Sequence, residues 1–426
     1  MKFKYGLDQH PPIVETLLLG FQWFAVAIPV IIIIGKIGGG LYFHTLEDQI
    51  TYLQKMSFLM ATALFIQIFW GHRMPLIVGP STILLVGMIA SRDYNANAVY
   101  TAIIAGGLFL SFVSVTGLFS HLKRLFTPRV VSVVFLLIAF SLLPTIIHLI
   151  TYSETGITPF LNIIFSFILI ILTFSFHRYL FGIWKSTLIV WVMILGSFFY
   201  FTIFPDNLHW ENVARFAPIS GFLRHMTTTF TFDVGIVVSF LICFIALSIN
   251  DVASIQSLNE LLKPTNTSRR VTYGVFITGL ANIVSGFLGI IGPVNYSLSP
   301  GVLAYTKCAS RFTMLPTVAL LLILSFSPFL IGFIGNVPSV VIGSVLIYLL
   351  CAQITTGLMM AFGSEKTFKF DNGLIIGLPL LLAAMIDFLP PHALDTFPSI
   401  VKPILGNGFI VGILSALFLE HILFKE

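Results

Sequence analysis

Apolar runs about as long as a bilayer is thick recur along the whole 426-residue sequence, and they constrain the fold more than any other feature. A helix needs about 20 predominantly apolar residues to cross the hydrocarbon core. By that measure fourteen runs stand out, near 13–35, 52–70, 74–91, 98–120, 129–150, 159–177, 183–204, 233–250, 268–289, 291–308, 313–333, 337–358, 373–390 and 402–424. Backbone groups in lipid must find their hydrogen-bond partners within the chain, so these runs are expected to be helical. The sequence is 57% hydrophobic and 9% charged, too few charges for the surface of a soluble protein of this length. The expected fold class is an all-α integral membrane protein in the lipid bilayer. The first run follows "MKFKYGLDQHPP", exceeds a signal-peptide core and has no clear cleavage site after it, so it reads as a span.

The basic residues test this count. With the N-terminus in the cytoplasm and every run crossing, 16 of the 22 Lys and Arg fall in inside loops, Arg73, Arg269, Arg270 and Lys307 among them. Six fall outside: Lys36, Lys55, Arg92, Arg215, Arg224 and Lys402. This is the bias of a plasma (inner) membrane protein with both termini cytoplasmic. The longest external stretch, 205–232, divides the chain into seven spans over 1–204 and seven over 233–426. An odd number of spans per half makes the halves inverted repeats, a pattern of secondary transporters.

Two spans at corresponding places in the halves are interrupted. The third reads "MPLIVGPSTILLVGMI" and the tenth "IGPVNYSLSPGVLAY". Each has a Gly-Pro pair followed by hydroxyl residues, and Pro and Gly disfavour a continuous helix. Ser81, Thr82, Tyr296, Ser297 and Ser299 are therefore expected to line a midplane cavity, where free N–H groups and a half-helix N-terminus face a substrate.

Asp251 is the ionisable residue nearest that cavity. A charged Asp at the bilayer centre costs about 2.5–3.5 kcal/mol on insertion scales, so it faces a cavity or takes up a proton. The other reading of Asp251 is an interfacial helix end, and that is the reading favoured for Asp387. The three cysteines form no metal-spaced pair, and His121, His148 and His177 are scattered near span ends. There is no HExxH, Walker-type Gly-Lys loop or GxGxxG. An enzyme, a metal site, a cofactor and a nucleic-acid partner are not expected.

At the interrupted spans the chain resembles the nucleobase–ascorbate transporter family. That family's tenth span carries Gln or Glu, Asn, any residue, Gly, four residues, then Thr and a basic or small residue. Here the stretch is Leu298, Ser299, Pro300, Gly301, four residues, Thr306 and Lys307. "PPIVETLLLGFQWFAV", with Gln22, is similar to the family's first span, "MPLIVGPST" to its third, "GLANIVSGFLG" to its ninth and "VPSVVIG" to the start of its twelfth. The family places an essential Glu in the eighth span. In "IALSINDVASIQSLNELL" one register puts Asn250 there, with Ser254 as the following polar residue, and the next puts Asp251 there.

The resemblance implies a core of spans 1–4 and 8–11, a gate of spans 5–7 and 12–14, broken spans 3 and 10, and a homodimer formed through the gate. It implies alternating-access transport of a small planar heterocycle of the uracil or xanthine type, coupled to a proton or sodium gradient. Gln22, Ser81, Thr82, Asn250, Ser254, Tyr296, Ser297, Leu298 and Ser299 are the candidate substrate residues, and Asp251 the candidate coupling residue. Leu298 in place of an acid leaves open an anion transporter of the same fold, of the sulfate, bicarbonate or organic-anion type. A channel or a ligand-sensing membrane protein is the reading from another class.

Overall fold

The computed structural model describes residues 3–118, 125–152, 158–205, 222–296, 299–363, 370–398 and 400–424. The protein is a multi-pass helical membrane protein. Among the described residues nine helices are long and apolar enough to cross a bilayer. The first half supplies α1 (Ile13–Tyr42), α2 (Leu46–Phe69), strand β1 (Val78–Pro80), α3 (Thr82–Ala90), α4 (Ala96–Thr116), α5 (Pro128–Ser141), α6 (Leu143–Thr151), α7 (Pro159–Tyr179) and α8 (Leu188–Ile203). The second half supplies α9 (Val234–Leu262), α10 (Thr267–Leu288), strand β2 (Pro293–Asn295), α11 (Ser299–Thr306), α12 (Leu315–Ser325), α13 (Pro328–Gly335), α14 (Ser339–Gly363), α15 (Phe370–Asp387) and α16 (Gly408–Phe418).

Side-chain caps set several helix starts. Thr45, Ser81, Asp233 and Asn407 accept hydrogen bonds from the backbone N–H groups of Asp48, Leu84, Ile236 and Ile410. Each cap satisfies one of the donors that a helix start leaves unpaired.

The two halves interleave. Helix α4 lies along α10, α9 packs on α3 and α4, and α1 and α2 both pack on α12. In a second group α14 packs against α5, α6 and α7, while α15 and α16 pack on each other and on α5. Smaller contacts of α1 with α8 and of α3 with α5 join the groups. The third and tenth spans are broken as expected, each a short strand followed by a short helix.

Three expectations need correction. The eighth span continues past 250 to Leu262, so Asp251 is buried mid-helix and is not an interfacial helix end. The eleventh is two helices bent by 97°, with Phe326 and Ser327 between them and Pro328 starting the second. Lys55, expected in an external loop, is buried inside α2. Its ammonium donates to the Leu288 carbonyl at 3.0 Å and to the Arg224 carbonyl. Leu288 ends α10, where unpaired carbonyls and the helix dipole favour a cation. Asp387 is the last residue of α15 and accepts from the Gly408 N–H at 3.1 Å, as a helix-end residue.

Candidate functional site

Strands β1 and β2 pair antiparallel, with Val78 opposite Asn295, Gly79 opposite Val294 and Pro80 opposite Pro293. Flanking the ladder, Ser81 N donates to Gly292 O and Tyr296 N to Ile77 O, both at 2.9 Å. This phase puts the two prolines at a pair where the ladder calls on neither N–H, so proline costs no ladder bond there.

A two-stranded ribbon has no independent stability, and its outward-facing backbone groups need partners away from water. Side chains supply them. Asn282 Nδ2 donates to Pro293 O at 2.9 Å, and the Tyr296 hydroxyl donates to Pro80 O at 2.5 Å. Asn295 N donates to Asp251 Oδ1 at 2.9 Å, and Asn295 Nδ2 reaches the same oxygen at 2.7 Å. The Ser299 hydroxyl accepts from Ile77 N at 3.0 Å and donates to Tyr296 O at 3.3 Å. Close approach is also required: a Cβ at Gly79 would run into the Tyr296 ring, and one at Gly292 into the Asn282 side chain.

A cleft of about 90 Å³ opens beside this ribbon, between the two helix groups. Val30 and Ile34 of α1, Thr82 of α3, Asn250 of α9 and Tyr296 line one side. Phe135 of α5 and the stretch of α14 from Leu346 to Thr356 line the other. No charged side chain lines it among the described residues. Its polar groups are two carboxamides, Asn250 and Gln353, and the hydroxyls of Thr82, Thr356 and Tyr296. The Tyr296 and Phe135 rings belong to opposite helix groups.

Of the residues singled out in the sequence, Thr82, Asn250 and Tyr296 meet in the cleft. Ser81 caps α3 and Ser299 closes the ribbon, both fully buried. The Ser254 hydroxyl donates to the Asn250 carbonyl at 2.8 Å within its own helix. Gln22 does not line the cleft. Eight residues before Val30, it sits about 12 Å along the helix axis, and its Nε2 donates to Ser186 Oγ at 2.7 Å. Ser297 and Leu298 lie outside the described residues. Asp251 also stays out of the cleft: it faces the ribbon, and its Oδ2 is buried with no partner among the described residues.

Gln353 went unnoticed in the sequence. Its signal was present, since it is the one residue in α14 with a carboxamide or a charge, and such residues inside spans mark pathways. Its Nε2 donates to Thr82 Oγ1 across the cleft at 3.4 Å, and its Oε1 is buried without a partner among the described residues.

A model of the Permease family matches residues 14–392. The chain is 23% identical over 419 residues to a xanthine permease of Bacillus subtilis (strain 168), covering 95% of this chain and 93% of that one. It is 23% identical over 426 residues to the nucleobase transporter PlUacP of Paenibacillus larvae, covering 96% and 94%. It is 22% identical over 410 residues to the uric acid permease PucJ of Bacillus subtilis (strain 168), covering 93% and 89%. Among solved structures, the transmembrane domain of a cyanobacterium bicarbonate transporter, BicA, superimposes with a TM-score of 0.60 at 15% identity, covering 90% of this chain and 98% of that chain. Murine Slc26a9, an anion transporter in the inward-facing state, superimposes with a TM-score of 0.57 at 12% identity, covering 96% of this chain and 69% of that chain. These structural likenesses establish the inverted-repeat fold.

Proposed function

We propose, from the premise that the chain belongs to the xanthine/uracil Permease family of nucleobase–ascorbate transporters, that it carries an uncharged nucleobase through the cleft beside the ribbon. The observation that carries this reading is the lining of the cleft: two carboxamides and three hydroxyls between aromatic rings, with no charge. A carboxamide offers a donor and an acceptor side by side, and a nucleobase edge offers the complement. Aromatic faces suit a flat ring. An anion would find no cationic side chain in the lining among the described residues, only the partial positive charge of the α3 N-terminus at Thr82.

In this reading α1–α4 and α9–α13 form the core, and α5–α8 and α14–α16 the gate. The two bodies rock against each other around the bound base. Asp251 is the coupling residue, with Oδ2, the oxygen that Asn295 does not hold, as the atom that gains and loses a proton. Its other oxygen holds Asn295, so protonation is felt at the ribbon that carries Tyr296.

The test is uptake into proteoliposomes of purified protein, using labelled uracil, xanthine and hypoxanthine with sulfate and bicarbonate as comparators. Saturable, gradient-driven accumulation of at least one base is expected, with no transport of either anion. Anion uptake without base uptake sinks the reading.

A further inference from the structure

We infer that Gln353 selects the ligand, by reading an edge on which one hydrogen-bond donor and one acceptor stand side by side. The inference rests on the nucleobase reading and deepens it. Three observations carry it. Gln353 is the one carboxamide on the gate side of the cleft. Its Oε1 is buried without a partner among the described residues, which is costly unless a ligand supplies an N–H. Its Nε2 has only a long bond, 3.4 Å, to Thr82 Oγ1 on the opposite wall.

The cleft is thus bridged by a weak contact that a ligand can replace with two better ones. A base with a ring N–H beside a carbonyl would place its N–H on Oε1 and its carbonyl on Nε2. The neighbouring hydroxyls do not duplicate this reading. Tyr296 donates to the Pro80 carbonyl, and Thr356 donates to the Ala352 carbonyl at 2.9 Å, so each offers only lone pairs. Asn250 is on the core wall, one residue before Asp251. Reading from the gate has a mechanical consequence: the pairing with Gln353 spans the seam between the moving bodies, so ligand bound there replaces one of the contacts that bridge it.

Hypoxanthine and guanine make the test, because they share the N–H/carbonyl edge and differ by one amino group. Gln353→Glu keeps size and shape and, as a carboxylate, presents acceptors alone; binding is therefore followed upward in pH and compared where it no longer changes, so that the ionised form is the one read. It should disfavour the carbonyl and favour guanine, whose ring N–H and amino group form a two-donor edge. Competition against labelled hypoxanthine should show the guanine-to-hypoxanthine affinity ratio rising by about tenfold in Gln353→Glu, the scale of one buried hydrogen-bonding group left unpaired. Gln353→Met, which removes both groups, should weaken both bases by about tenfold with the ratio unchanged. If Gln353→Glu leaves the ratio where it is in the wild type, or Gln353→Met binds as the wild type does, the assignment is overturned while the nucleobase reading stands. If the wild-type protein binds no base, both fall. Should Gln353→Glu not reach the membrane, the Gln353→Met comparison decides alone.

Discussion

Asp251 and Asn295 are more than forty positions apart in sequence, yet two hydrogen bonds converge on one carboxylate oxygen. That geometry separates holding from proton exchange. Asp251→Asn can keep a carbonyl oxygen for Asn295 but puts an amide where Oδ2 was. The expected outcome is that counterflow of a bound base persists while accumulation driven by a proton gradient fails. Accumulation at the wild-type rate and pH dependence would remove Asp251 from coupling. Asp251 was legible in the sequence because an acid inside an apolar run stands out. Its partner was not, since an Asn beside a Gly-Pro break reads equally well as a cavity residue. Gln353 is harder to read for a related reason: it lies in α14, which carries no break to mark it.

The ribbon shows how much of a fold local sequence can reveal. The Gly-Pro pairs at 79–80 and 292–293 announced both breaks, and the structure adds that the broken stretches pair as strands. Register was not readable, because it depends on partners in α9 and α10. Span lengths were misjudged where polar residues are satisfied inside the bundle, as at Asp251 in α9 and Lys55 in α2. Two substitutions test the ribbon. Asn282→Leu strips the Pro293 carbonyl of its side-chain donor and should destabilise the protein by about 1–3 kcal/mol; an unchanged melting temperature would show that the ribbon does not need it. Gly79→Val drives a side chain into the Tyr296 ring and should abolish base binding even where protein reaches the membrane, measured by scintillation proximity.

At the scale of the whole molecule, contacts between the two helix groups are few among the described residues, and side chains bridge the groups at Thr82 with Gln353, Gln22 with Ser186 and Ser239 with the Pro403 carbonyl. Rocking should break at least the first. With Thr82 and Gln353 replaced by cysteine in a background lacking Cys243, Cys308 and Cys351, a short bifunctional thiol reagent should stop transport, and a reductant-cleavable version should allow its recovery. Transport that continues after complete crosslinking would argue against motion at this seam. Helices α7 and α8 turn large apolar side chains outward, among them Phe160, Phe167, Ile171, Phe198 and Phe199. A homodimer through this gate surface is the arrangement we expect, and crosslinking in native membranes that recovers only monomer would exclude it.

The ribbon also sets a timetable for making the protein. Its strands lie roughly 200 residues apart in the chain, so at about 5–20 residues per second the first waits on the order of 10–40 s for its mate to be synthesised. Throughout that interval the third span sits in or beside the membrane with open backbone groups and too short a helix to cross alone. The nascent first half must therefore be sheltered by the insertion machinery or by its own neighbouring spans. Ribosome stalls placed before Pro293 should give chains that quality-control proteases clear, and stalls placed after α11 emerges should give chains that survive.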